Sequence, residues 1–541
     1  MNFFRPLATF PAGLAGLAPP SAWIARSGIM RRMTYLSRPP PDVPPLIQAL
    51  LDSRRYPDAV QQVDLVQTHI SWVLLAGEFA YKIKKPLQLP FLDFSTLGLR
   101  QRYCHEELRL NRRFAPELYL DVVGIFNTPQ DPQFEGSGPP IEYAVKMRRF
   151  DDAVRLDRVC ARGELQPRHL SDLADTLVAF HEAAAIAPAT SRFGSPPQIL
   201  APTLDNFDEL LRGAPDAHQQ TRLAALRAWT EAHFKQLAPL MQARQQAGRV
   251  RECHGDLHLS NLVLIDERVR LFDCIEFNED LRWMDVASEI AFTYVDLLAH
   301  AQPGLAGWLV DEYLSRSGDY EVARVLRFYA VYRALVRAKV ATIRASQGQP
   351  ATLHDRQEAQ AYIALAERLT APPAARLLIT HGLSGCGKTV VSTALLQSDP
   401  HATTLRLRSD VQRKRLFGLA VSERSGASLD SDIYAPTAHA STYAHLRAVA
   451  DTLLRAGWSV IVDATFLKRA DRDVFHALAD EAGAAFGILA PVATPVQLRE
   501  RIQARSALGQ DASEATLEVL AQQMQEIEPL TSDERQHLVA E

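Results

Sequence analysis

Apolar and polar positions change rhythm three times along the chain. Before residue 45 they follow no period, and a Pro-rich run, Pro39–Pro45, closes that stretch. Helix spacing then starts at Leu46, Ile47, Leu50 and Leu51. From Val63 to Lys85 the text turns to short apolar runs bounded by turn residues. Val63–Val66, Ser71–Ala76 and, after a Gly77-Glu78 turn, Phe79–Lys84 are read as strands. Another strand pair is expected around Asp121–Phe126 and Ile141–Met147. Beyond Phe150 helical spacing dominates, with strands expected only around Leu262–Ile265 and Val269–Phe272. The pattern predicts a small β-rich lobe followed by a larger helical one.

Glu358–Leu369 reads as a helix, which Ala371-Pro-Pro-Ala374 breaks. Arg376-Leu-Leu-Ile-Thr380 follows as a short apolar run, the form of a buried parallel strand. Strands at Thr404–Leu407, Ser459–Val462 and Phe486–Leu489 then alternate with helix patterns, which is the logic of an α/β sheet. The expected division is a tail or mis-annotated start over 1–44, an α+β bilobal domain over 45–370, and an α/β domain with a parallel sheet over 374–541.

Composition narrows the class. The chain has 541 residues, 47% hydrophobic and 23% charged, the mix of an ordinary soluble protein rather than a charge-driven disordered one. No run reaches the roughly 18 apolar residues of a membrane helix, so no membrane partner is expected. A net charge of −4 supplies no global attraction for nucleic acid and leaves only a local basic face for it. Cys104, Cys160, Cys253, Cys274 and Cys386 are scattered and odd in number. They fit neither a disulfide framework nor a zinc site, and point to a reducing cytoplasm. The stretch Met1–Arg38 is too broken by Pro and Gly for a secretory core and reads as a tail without function, with Met30 and Met33 as alternative starts.

Two constellations carry chemistry. In the C-terminal half, Gly382-Leu383-Ser384-Gly385-Cys386-Gly387-Lys388-Thr389 lies between a strand and a helix pattern, the setting of a phosphate-binding loop. Its glycines let successive backbone N–H groups face phosphate oxygens, and the helix N-terminus adds its dipole. Lys388 is assigned to the β/γ-phosphates and the Thr389 hydroxyl to Mg²⁺. Asp410, after the second strand, is placed to activate an acceptor. Asp463, at the end of an apolar strand, is placed as a Mg²⁺ or water-positioning carboxylate. Arg501 and Arg505 share one helix face and are read as a lid over the γ-phosphate.

These residues resemble the P-loop kinases of the polynucleotide-kinase, zeta-toxin and gluconate-kinase kind, over about residues 375–530. Gly509–Glu514 is similar to the segment after their lid. The resemblance implies transfer to a hydroxyl, with Asp410 as base. It implies roles for Lys388, Thr389, Arg501 and Arg505, and does not name the acceptor.

In the N-terminal half, Cys253-His-Gly-Asp-Leu-His-Leu-Ser-Asn261 sets Asp256 five residues before Asn261, and a strand then ends in Asp273. A carboxylate that takes a hydroxyl proton, an amide and a second carboxylate for metal form a phosphotransfer set. This resembles the aminoglycoside-phosphotransferase and choline-kinase-like families, which share the protein-kinase fold. Lys82, in Ala80-Tyr-Lys82, is then the phosphate lysine, with Lys84 as rival. Glu107 is its acidic partner, with Glu106 one residue off, and Ala144–Phe150 is the connection that meets adenine. Asp285 is read as a helix cap. The Gln67–Ser71 turn lacks glycine, and Cys274-Ile275-Glu276 follows the metal carboxylate where protein kinases have Phe-Gly. Asp151, Asp152 and Asp157 are either a site for a cation or solvated surface.

The order of the two halves resembles a bacterial family of fused aminoglycoside-phosphotransferase-like and ATP-binding proteins. It implies a cytoplasmic enzyme with ATP and Mg²⁺ as cofactors and a small-molecule hydroxyl acceptor. Phosphorylation of a nucleic-acid end by the P-loop half, favoured by Arg406, Arg408, Arg413, Lys414 and Arg415, is one alternative. A non-catalytic first domain that gates the second is the other. The sequence leaves the acceptor of either half and the oligomeric state undecided.

Overall fold

A computed structural model of the chain describes residues 43–89, 91–213, 215–346, 352–419, 436–508 and 515–539. Residues 1–42 and the Gly509–Glu514 segment lie outside the described residues. Helix α1 (Pro45–Ala49) leads into a meander of β1 (Val63–Gln67), β2 (Ser71–Ala76) and β3 (Phe79–Lys84). A small hairpin, β4 (Gln88–Leu89) and β5 (Leu92–Asp93), precedes helix α2 (Leu97–Asn111). Strands β6 (Tyr119–Thr128), β7 (Asp131–Gln133) and β8 (Glu142–Arg148) complete an antiparallel sheet of order β1-β2-β3-β8-β6-β7. Alternation sorts its two faces. Tyr81 and Ile83 join Ile47, Leu50, Tyr56, Leu65 and Leu74 on one side. Lys82 and Lys84 therefore point to the other, where α2 crosses the sheet.

The helical lobe contains α3 (Leu156–Ala161), α4 (Pro167–Ala183), α5 (Pro196–Arg212) and α6 (Ala217–Gln246). After them come β9 (Val250–Glu252), the hairpin β10 (Leu262–Ile265) and β11 (Arg268–Leu271), and β12 (Trp283–Asp285), which pairs with β9. The β9–β12 ladder is not in the sequence expectation, because three-residue strands are too short to show a period. Helices α7 (Val286–Ala299), α8 (Pro303–Ser317), α9 (Val322–Ser346) and α10 (Thr352–Thr370) close the lobe. Asp285 caps α7 by accepting from the Ala287 amide, and Arg244 grips it at 2.7 and 2.9 Å. It is a structural residue.

The C-terminal part is α/β. β13 (Arg376–Thr380), α11 (Lys388–Gln397), β14 (Thr404–Arg408), α12 (Ser409–Leu416), α13 (Pro436–Arg455), β15 (Ser459–Asp463), α14 (Arg469–Ala482) and β16 (Ala485–Leu489) build a parallel sheet of order β14-β15-β13-β16. Helices α15 (Pro495–Leu508) and α16 (Leu517–Glu526) follow, and Val539 donates to Ile488 O beside β16.

The two halves share one buried apolar cluster that runs from Leu309 and Val310 to Leu405, Leu407 and Trp458. Helix α8 comes so close to the end of α11 that a Cβ on Gly304 would stand 1.9 Å from Gln397 O, so only glycine fits there. Trp458 Nε1 donates to Ala323 O at 2.9 Å, and Tyr294 Oη donates to Ala402 O at 3.2 Å. At the sheet edge, Asp311 Oδ1 accepts the Arg406 amide at 2.6 Å. Burial pushes the Asp311 carboxyl up to about 7, against the pull of Arg406. An acid raised in the folded state binds its proton more tightly there than in the unfolded chain, where it titrates near about 3.9. Its contribution to stability is therefore most favourable below about pH 4, falls as the pH rises to about 7, and is level above. Urea titrations at pH 5 and pH 8 should show Asp311→Asn gaining stability relative to the parent as the pH rises. An unchanged difference would refute the assignment.

Candidate active sites

In the N-terminal half, β3 and α2 bring together a buried charge cluster. Lys82 Nζ lies 2.7 Å from Glu107 Oε1 and also bonds Asp273. Lys84 Nζ lies 2.7 Å from Glu107 Oε2 and also bonds Glu276. Glu107 is thus shared by both lysines. Glu106 turns away to Arg109 at 2.7 Å and Arg282 at 2.9 Å. Exposure separates the lysines: Lys84 is sealed off, whereas the Asp273 side chain beside Lys82 is 44% exposed at the cleft. Burial opposes the charge on Lys82, but Asp273, Glu107 and Glu276 outweigh it and hold the ammonium well above its usual range. Burial also works against Glu107, and Lys82 and Lys84 together keep it ionised. At Glu276 burial, helped by the nearby Glu107 charge, outweighs Lys84 and Lys82, and its carboxyl is raised.

Asp273 has φ +62°, left-handed backbone that a non-glycine residue holds only when its neighbours fix it. Its amide donates to Tyr119 Oη at 2.9 Å, and the Cys274 amide donates to Asn111 Oδ1 at 3.0 Å. Asn111 lies one turn after Glu107 on α2 and also donates to Glu107 O. Helix α2 and the Asp273 turn are therefore bonded together directly.

Across the cleft, Asn261 Nδ2 donates to Asp256 O at 2.9 Å and Oδ2 at 3.3 Å, which leaves the Asn261 amide oxygen for another ligand. His258 Nε2 stands 3.2 Å from Asp256 Oδ2. Burial alone would raise the Asp256 carboxyl; His258, Arg337 and His254 overcome it and hold the group below the usual carboxylate range. The loop is fixed from behind. Glu289 accepts the His254 and Gly255 amides at 2.6 and 2.9 Å and meets His181 at 2.7 Å, and Asp296 accepts the Leu259 amide at 2.8 Å. Arg155 and Arg158 pair with both Asp152 and Asp157, whereas Asp151 is exposed.

The second site lies between β13 and α11. Gly385 and Gly387 have φ +85° and +107°, which turns the loop's amides inward as side-chain-bearing residues could not. Lys388 Nζ folds back on Gly382 O at 3.0 Å and Leu383 O at 2.8 Å. Arg501 Nη1 reaches Gly385 O at 3.2 Å and Cys386 O at 3.3 Å, whereas Arg505 donates to Ala515 O at 3.4 Å. Of the two arginines, only Arg501 lies on the loop. Asp463 is buried and accepts from Ser392 Oγ at 3.2 Å; Ser392 sits one turn after Thr389. Asp410 is the second residue of α12, 3.7 Å from Arg413. Gln523 Oε1 accepts the Ser384 amide at 2.8 Å.

Residues 91–329 match the phosphotransferase enzyme family and residues 377–530 match an AAA domain family. The chain joins a phosphotransferase-family domain to an AAA-family P-loop domain. It is 29% identical over 459 residues to uncharacterized proteins of Mycobacterium bovis and Mycobacterium tuberculosis, a match that spans 85% of this chain and 89% of theirs. Among solved structures it is similar to a choline/ethanolamine kinase family protein from Mesorhizobium loti. That match has 13% identity and a TM-score of 0.37, and covers 61% of this chain and 96% of that one. It is also similar to an aminoglycoside phosphotransferase from Alicyclobacillus acidocaldarius, with 16% identity, a TM-score of 0.35, and 59% and 94% covered. No helix among the described residues is long and apolar enough to cross a membrane.

The phosphotransferase domain offers an ammonium for phosphate oxygens, oxygen donors of the type Mg²⁺ prefers on Asn261 and Asp273, and a carboxylate on Asp256 to take a proton. The P-loop domain offers the same types in Lys388, Thr389 with Asp463, and Asp410. Sequence reasoning missed Tyr119, Asn111, Glu289, Ser392 and Gln523. Asn111 and Ser392 had a signal, since each lies one turn from a chosen residue on the same helix face. Tyr119, Glu289 and Gln523 come from distant segments and had none.

Proposed function

We propose that the chain is an ATP- and Mg²⁺-dependent phosphotransferase with two nucleotide sites, each moving the γ-phosphoryl group of ATP to a hydroxyl of a small molecule. The observation that carries this reading is Lys82, whose ammonium bonds Glu107 on α2 and Asp273 on the metal turn at once. Its Asp273 side chain is 44% exposed, so this buried, costly cluster opens at the cleft instead of being sealed inside the lobe. In the phosphotransferase domain Lys82 orients the α/β-phosphates. Asp256 accepts the acceptor's hydroxyl proton as its oxygen bonds the γ-phosphorus and ADP leaves. Asn261 and Asp273 would hold Mg²⁺, which would supply neutralisation of the charge on the transferring phosphates.

In the P-loop domain Lys388 exchanges the carbonyls of Gly382 and Leu383 for phosphate oxygens. Arg501 stands at the loop to meet the γ-phosphate, and Asp410 faces the acceptor as base. A nucleic-acid end is disfavoured as acceptor. The side chains of Arg406 and Arg415, part of the basic cluster that suggested it, are taken up by contacts between the domains.

The test is an ADP-release screen of hydroxyl compounds with Asp256→Asn and Lys388→Ala side by side. Each variant should lose one set of acceptors and keep the other. Loss of every activity in one variant alone would contradict two independent sites.

A further inference from the structure

The P-loop domain meets the phosphotransferase domain through the elements that carry its acceptor side. Among the described residues β14 is an edge strand of the parallel sheet, and the amide of Arg406 on its outer side has no strand partner there. Asp311 on α8 supplies the acceptor for it, at 2.6 Å. The Arg406 side chain stays in the same place. Its Nη2 lies 3.6 Å from Asp311 Oδ2, its Nη1 donates to Thr393 Oγ1 at 2.5 Å, and it lies over the Trp308 ring. Three residues beyond Arg406 the chain enters α12, where Asp410 sits in the first turn.

That helix has two more anchors, both on the phosphotransferase domain. Gln412 Nε2 donates to Tyr320 Oη at 2.6 Å, and Arg415 Nη2 donates to Ser315 O at 2.5 Å and Arg316 O at 3.2 Å. Lys388, at the opposite end of α11 from the Gly304 contact, bonds instead within its own loop, to Gly382 O and Leu383 O.

We infer that Asp311 is a positioning residue for the P-loop site: a carboxylate of the phosphotransferase domain that fixes the end of β14 and so the place of Asp410. This rests on the reading of Asp410 as the acceptor carboxylate. Asp311 touches no substrate and acts through the strand it holds. Misplacing a reacting group by about 1 Å can cost on the order of a hundredfold in rate, so a single edge contact is enough to matter. The inference makes the fusion of the domains a requirement of the second activity.

The experiment uses the full chain at pH 8 with Asp256→Asn present throughout to silence the first site, and Mg–ATP hydrolysis as the readout. Asp311→Leu should lower turnover about tenfold or more with the KM for Mg–ATP within about twofold. Asp311→Asn, whose amide oxygen still accepts the Arg406 N–H, should stay within about threefold of the parent. Asp311→Leu combined with Asp410→Asn should be no worse than Asp410→Asn alone, since the first acts through the second. Turnover unaffected by Asp311→Leu, or losses that add with Asp410→Asn, would overturn the inference.

Tyr320→Phe removes a single hydroxyl, the acceptor for Gln412 Nε2, and should lower turnover about threefold with a thermal midpoint only a few degrees below the parent. If Asp311→Leu does not fold, full turnover in Tyr320→Phe overturns the inference. The underlying reading fails separately, when Lys388→Ala and Asp410→Asn both retain turnover in this background.

Discussion

Asp256→Asn should lower phosphoryl transfer at the first site about a thousandfold while Mg–ATP still binds. The substitution keeps the side chain's size, its place beside His258 and the neighbouring Asn261, and removes only the proton acceptor. General-base contributions fall at about 10²–10⁴-fold, which sets the scale. Asp256 suits the role because His258, Arg337 and His254 keep it ionised against its burial. Initial rates and ATP affinity measured on the same preparation check both halves of the statement. If the first domain only gates the second, Asp256→Asn leaves every phosphotransfer activity intact, and that result would remove Asp256 from catalysis.

Lys388→Ala should weaken Mg–ATP at the P-loop site about a hundredfold, close to 3 kcal/mol, because a charge-assisted bond to phosphate in a concave loop is lost. The folded state should suffer little. Lys388 now bonds Gly382 O and Leu383 O and lies 3.9 Å from Cys386 Sγ, all within its own loop. Thermal midpoints within a few degrees of the parent would therefore accompany the loss of affinity. A variant that binds nucleotide normally at this site would show that the glycine loop is a turn and not a phosphate cradle.

Two pairs of alternatives show where sequence stops. The Lys82 and Lys84 alternatives were both in view, since period 2 places them on one face of β3. What sets them apart in the structure is Asp273, which lies 191 residues away and bonds Lys82 rather than Lys84. Glu107 and Glu106 were separated in the same way, by Arg282 drawing Glu106 outward. Motifs fixed to one loop, Asp256 with Asn261 and Gly382 through Thr389, were legible because the chemistry and its scaffold are contiguous. The domain interface was not legible: Arg406 read as part of a basic cluster, and only folding brings Asp311 to its amide. Burial likewise changed the meaning of Asp157, which spacing left open between surface and site and which Arg155 neutralises inside the lobe.

The central claim is two working nucleotide sites in one chain, and a calorimetric titration of Mg–ATP tests it most directly. The intact protein should bind two equivalents and Lys388→Ala one. A single site in the intact protein that vanishes in Lys388→Ala would contradict the account. The Lys82–Glu107–Asp273 cluster would then be a structural core and not a phosphate site.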